Sequence, residues 1–157
     1  MFDPVKAIRT MLLADLDVAS LAGENVFGEI LPERFVPTDN PAIVITSRGG
    51  SSHGEIPMQS CSVQVACWAG VNQFVLARQV YGAVYLALFS QQNIDLGSDG
   101  KLVTATADNA PSSVVDPDLG WATVVGHFTV VMAASDTVPG PAVLDEEGFA
   151  IEFGGSL

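Results

Sequence analysis

The sequence predicts an α+β fold: a mostly antiparallel four- to five-stranded sheet with two helices packed on one face, in the order α-β-β-β-α-β-β. Three observations lead there. Apolar residues recur at three- and four-residue spacing in two segments, one after Asp3 and one after Asn72, so helices are few. Alternating or continuous β-rich runs appear in "AIVITS", "SCSVQVACW", "KLVTATA" and "WATVVGHFTVVMAA". Apart from the two runs that flank the second helix, neighbouring runs are joined by turn residues, and that favours antiparallel pairing with the helices covering one face.

The first helix starts at Asp3-Pro4, where a carboxylate can cap the free amides and proline fits the first turn. Val5, Ile8, Leu12 and Leu16 then form its apolar side, and the helix is expected to end near Gly23. "NVFGEILPERFVPTDNP" supplies a short edge strand, Val26 to Ile30, followed by a surface loop whose three prolines bar a long regular element. "AIVITS" and "SCSVQVACW" read as a hairpin joined by a long Gly- and Ser-rich loop. Asn72 caps the second helix, which runs to about Phe89. Phe74, Ala77, Tyr81, Val84 and Leu88 make one stripe on it, and Leu76, Val80, Ala83 and Ala87 a second, so it must be covered on more than one side. "QQNIDLGSDG" reads as turn chemistry, "KLVTATA" as a strand, "DNAPSSVVDPDLG" as a polar bend and "WATVVGHFTVVMAA" as a long last strand. In that strand Val124, Phe128, Val130 and Met132 face one way, with Gly126 between them, and Thr123, His127 and Thr129 face the other.

Residues 1–134 therefore form one domain, and residues 135–157 an acidic extension with five acids, no bases, two prolines and four glycines. At most one short strand, "FAIEF", is expected within it. Eighteen Asp and Glu against six Lys and Arg give a net charge of −12, which opposes tight binding to a phosphate backbone. The amino terminus lacks a basic leader and a small-residue cleavage site, and "VYGAVYLALF" is half the length of a membrane span, so a soluble chain is expected. Cys61 and Cys67 share one face of a strand about 20 Å apart, too far for a mutual disulfide, and read as buried, reduced residues.

Candidate chemistry is thin. Gly50-Ser51-Ser52-His53-Gly54 matches G-x-S-x-G, the nucleophile-elbow spacing, and His127 follows in the chain order of a hydrolase triad. A true elbow passes from strand to helix, so that helix amides serve the oxyanion; here Pro57 and a period-two pattern announce another strand. Asp116 and Asp118 sit in "VDPDLG", ordinary turn residues, and "LDEEG" reads as a solvated acid cluster. No phosphate loop, dinucleotide fingerprint or paired metal motif is present, so the sequence reading assigns no catalytic residue, cofactor or metal. The surplus of apolar helix surface points to an assembly component. Leu76, Val80, Tyr81, Ala83, Val84 and Tyr85 are the expected subunit contacts. Arg48, Gly49, Gly50, Ser51, Ser52, His53, Gly54 and Glu55 form the expected docking loop, and Phe149, Ala150, Ile151, Glu152 and Phe153 the expected neighbour-contacting tail.

The opening helix "DPVKAIRTMLLADLDVASLAG", then "NVFGEILPE", "NPAIVIT", "CSVQVACWAG" leading into "NQFVLARQVYGAVYLAL", and the final "PDLGWATVVGHFTVVM" resemble the tail terminator, or tail completion, proteins of long-tailed bacteriophages. The resemblance covers residues 1–134 and rests on element order and residue character. It implies a structural, non-enzymatic virion protein at the neck, the head-tail junction, assembled in the host bacterial cytoplasm. The implied form is a homo-hexameric ring that caps the head-proximal end of the tail tube and ends its polymerisation. The implied partners are the tail tube protein and a head-tail connector or stopper protein, with DNA passing through the lumen and no sequence-specific DNA binding or membrane contact. Other head-completion or connector proteins of the same neck share this layout, and the alternatives from other classes are a small serine hydrolase using Ser52 and His127 and a non-phage module that binds peptides at its sheet edge.

Overall fold

The computed structural model describes residues 2–135 apart from Asp39 and Ser90. Helices α1 (Pro4–Ala14) and α2 (Leu16–Ala22) open the chain. They are followed by strands β1 (Val26–Gly28), β2 (Ala42–Ser52) and β3 (Met58–Val71), helix α3 (Phe74–Phe89), and strands β4 (Gln92–Asp95), β5 (Lys101–Ala107), β6 (Ser112–Val115) and β7 (Trp121–Ala133). The fold is α+β, with a seven-stranded sheet in the order β1-β2-β3-β7-β5-β4. β6 pairs with β7 off this path, so β5 and β6 share one edge of β7, β5 along Phe128–Ala133 and β6 along Ala122–Val125.

Several expectations are corrected. The opening helix is two helices, because Asp15 leaves the helical region (φ −78°, ψ 127°) and its carboxylate accepts from the amides of Asp17 and Val18, both at 3.0 Å. Such a local cap competes with helix continuation. Asp3 caps α1 as expected, accepting from the Lys6 amide at 3.0 Å. β1 ends at Gly28, before Glu29 enters the left-handed region (φ 68°), and it pairs with β2 in parallel, the exception in an otherwise antiparallel sheet. Two stretches expected to be irregular, "QQNIDLGSDG" and "DNAPSSVVDPDLG", each contain a strand, β4 and β6. Asn72 takes φ 61° two residues ahead of α3 and does not begin it; Gln73 precedes the helix, its side chain accepting from the Gly70 amide at 2.9 Å.

The helices lie on one face of the sheet. Cys61, Val63, Val65, Cys67 and Ala69 of β3 and Val124, Phe128, Val130 and Met132 of β7 point into one core with Ile43 and Ile45 of β2. α1 and α2 supply Ile8, Leu12 and Val18, and α3 supplies Ala77, Val80, Tyr81, Val84 and Leu88. Fully burying one such aliphatic or aromatic side chain contributes about 1.5–3 kcal/mol before entropy is counted. Tyr81 lies over Gly126: a Cβ there would fall on the tyrosine ring and hydroxyl, so the glycine is what lets α3 settle on β7. The opposite sheet face carries Thr46, Gln64 and His127, with Trp68 and Trp121 edge-on at 6.2 Å nearer the β7 start. There the segment between β1 and β2 folds over, its Phe35 ring meeting Phe27 edge-on at 5.4 Å. Both cysteines are buried and unbridged, as expected.

Candidate assembly surfaces

The Gly- and Ser-rich segment is half strand. Arg48 and Gly49 form a bulge between Ser47 and Gly50, with Gly49 at φ 96°, after which Gly50, Ser51 and Ser52 resume pairing with Cys61, Ser60 and Gln59. At Gly50 a Cβ would collide with the Ser60 carbonyl oxygen, so the close approach of the two strands requires glycine. Of the expected docking loop, only His53, Gly54 and Glu55 fall in the turn, which runs from His53 to Pro57 and is exposed throughout. The element is a long hairpin with a short tip. Gly49 serves a bulge that re-aims the strand, and of the three glycines only Gly54 stays in the tip.

Ser52 and His127 are not brought together. Ser52 pairs with Gln59 and lies on the helix-side face, whereas His127 pairs with Gln64 on the opposite face. Five strand residues, about 16 Å, separate their levels along β3. The serine is followed by a turn and a strand, where an elbow would place a helix N-terminus. Asp116 makes an Asx turn, accepting from the amides of Asp118 at 3.0 Å and Leu119 at 2.7 Å.

On α3 the two stripes are resolved by the fold. Val80 and Val84 are fully buried and Tyr81 nearly so, all within this chain's own core; Leu76, Ala83 and Tyr85 are half-buried against it. The apolar surface the helix turns to solvent is instead Val75, Leu86 and Phe89, with Tyr85 stacked on Phe89 at 5.6 Å. Helical period alone marks both stripes and leaves open which the sheet takes. Phe149, Ala150, Ile151, Glu152 and Phe153 lie outside the described residues.

The chain's exit is defined at its last described residue. The Ser135 hydroxyl donates to the Asp95 carboxylate at the end of β4, and with the Gly97 amide, 2.9 Å away, it holds that carboxyl below the usual carboxylate range. Close by, Lys6 of α1 reaches Asp99 at 2.6 Å, and this bond raises the lysine above its ordinary value. Among the described residues no helix is long and apolar enough to cross a membrane.

This arrangement defines a class: an α+β domain in which helices layer one face of a long-stranded, nearly antiparallel sheet and apolar side chains remain at the margins. Among solved structures the chain is similar to one from the virion of native gene transfer agent (GTA) particle, with a TM-score of 0.63 and 18% sequence identity, over 83% of this chain and 95% of that one. The similarity shows a shared fold. No family model matches the sequence, and no curated protein matches it.

Proposed function

We propose that this chain is a structural component of a virion and, within it, the subunit of a six-copy ring that caps the head-proximal end of a tail tube and offers the surface for head-tail joining. The observation that carries the reading is the fold shared with a virion chain over 83% of this chain and 95% of that one. The finer assignment is supported by the order and character of the elements over residues 1–134, which resemble tail terminators. In this reading the chain is not an enzyme and takes no cofactor; the separation of Ser52 from His127 on opposite sheet faces speaks against the hydrolase alternative built on that pair. The acidic balance suits a lumen through which DNA slides without adhering. The His53–Pro57 tip is the element aimed at the tube or connector.

Electron microscopy of the purified chain with tail tubes tests this. Rings on one end of each tube, and arrest of tube growth when the chain is added during polymerisation, are expected. Tubes that stay bare and keep growing would overturn the capping role.

A further inference from the structure

The sheet has three margins where, among the described residues, a strand pairs on one side only: β1, β4 and β6. Natural sheets guard such edges with charges, kinks or covering elements, because an open row of amides and carbonyls recruits another strand. β1 is guarded by Arg9, whose Nε donates to the Val26 carbonyl at 2.8 Å. β4 is guarded by Asn93, whose left-handed backbone (φ 55°) breaks the strand in its middle. β6 has neither device: its four residues, Ser112 to Val115, are uncharged, lack glycine and proline, and are all exposed.

We propose that Phe149–Phe153 of a neighbouring copy adds to β6 as an extra strand; the inference rests on the ring reading above. Side-chain alternation fits. Val114 pairs with Thr123 on the helix-free face, and Ser113 pairs with Val124 on the helix side, where Arg78 of α3 lies 3.5 Å from the Ser113 hydroxyl. In "FAIEF", Phe149, Ile151 and Phe153 share one side and Ala150 and Glu152 the other. Laying the apolar side beside Val114 carries Glu152 to the side of Arg78, so both the apolar and the charged surfaces are complementary.

Chain length favours a neighbour over the same copy. The extension departs at Ser135, fixed to Asp95 beside β4, and β6 lies opposite Val124, eleven residues back along β7, about 36 Å away. Residues 136–148 would span at most about 43–47 Å fully stretched, but a flexible chain of that length averages about 20 Å. Reaching its own β6 would require a nearly straight linker through Pro139, Gly140 and Pro141. A neighbour whose β6 lies within the relaxed reach captures the strand at far higher effective concentration.

Hydrogen exchange on the full-length chain tests this across a hundredfold range of concentration. Amide protection in Ser112–Val115 and in Phe149–Phe153 is expected to rise together, at least tenfold, as concentration rises. Protection that is concentration-independent, absent, or confined to one of the two segments would overturn the proposal. Ile151→Asp should abolish the added protection of β6 and raise the concentration needed for assembly at least tenfold. Arg78→Glu and Glu152→Arg should each weaken assembly and restore it when the two chains are mixed. Tail capping by an Ile151→Asp chain as efficient as wild type would sink the added strand while leaving the ring reading intact. Concentration-dependent protection in a chain that never caps tubes would do the reverse.

Discussion

Gly126→Ala probes the contact that seats the helix layer. The added methyl falls on the ring of Tyr81, which is only 6% exposed and packs against Phe128 at 6.2 Å between centroids, so the ring cannot swing clear without lifting α3. Overpacking of this kind costs about 1–3 kcal/mol, and alanine returns about 0.5–1 kcal/mol of the backbone entropy that strand glycine forfeits. A net loss of about 1–2 kcal/mol follows, a fall in Tm of about 3–6 °C for a domain of this size. The control is Tyr81→Leu, which vacates the space above Gly126: in that background Gly126→Ala should be neutral or stabilising, a coupling of at least about 1 kcal/mol between the two sites. Tyr81→Phe alone should lie within about 0.5 kcal/mol of wild type or gain slightly, since the hydroxyl is buried without a hydrogen-bond partner among the described residues. Urea and thermal denaturation followed by circular dichroism measure all four chains. If Gly126→Ala is within about 0.5 kcal/mol of wild type, or costs the same in both backgrounds, the contact does not seat the helix.

Asp15→Ala should lose about 0.5–2 kcal/mol by freeing the capped amides of Asp17 and Val18, and Asp15→Asn should keep most of it, as read by thermal melts. Val80→Asp should unfold the chain, because it puts a carboxylate in a site with no exposure, whereas Phe89→Asp on the solvent side should leave circular dichroism and Tm close to wild type. Burial holds the Cys67 thiol well above its ordinary value, so it should resist alkylation at pH 8 until the protein unfolds. The unfolded thiol ionises above about pH 8.5 while the folded one does not, so this group lowers stability as pH rises past that point; Cys67→Ser should flatten that part of the profile. Ser52→Ala should leave ring formation and capping unchanged, while shortening the His53–Pro57 tip to two residues should keep the fold and impair head-tail joining, scored by counting joined particles.

Where local pattern carries the physics, the sequence is readable. Asp3-Pro4 starts a helix, the alternation in "SCSVQVACW" and "WATVVGHFTVVM" separates the two sheet faces, and Gly126 interrupts an apolar row where a tyrosine sits. The α+β class follows from these. What escaped depends on distant partners. β4 and β6 are too short and too polar for a periodic signal and exist because β5 and β7 offer them an edge. Arg48–Ser52 has loop composition, yet the β3 register pulls it into the ladder. The parallel direction of β1 is set by where α1 and α2 deliver the chain, which no local window contains. The same limit applied to the assembly surfaces: two apolar stripes on α3 were visible, but only packing showed that Val80 and Val84 turn inward while Leu86 and Phe89 turn out.

The strand that unites the sheet is the last of the described strands to be made. β7 pairs with β3, β5 and β6, so three strands keep an unsatisfied ladder until Trp121–Ala133 has left the ribosome. The β2–β3 hairpin can form early from neighbouring residues, but pairing β3 with β7 closes a loop that contains α3, β4, β5 and β6, a high contact order that slows folding. During synthesis the chain therefore exposes the open edge of β3 along with the apolar side of α3, a state prone to aggregation. Completion of the sheet is accordingly gated by one strand, and chains cut short before Trp121 should accumulate as insoluble or chaperone-bound material.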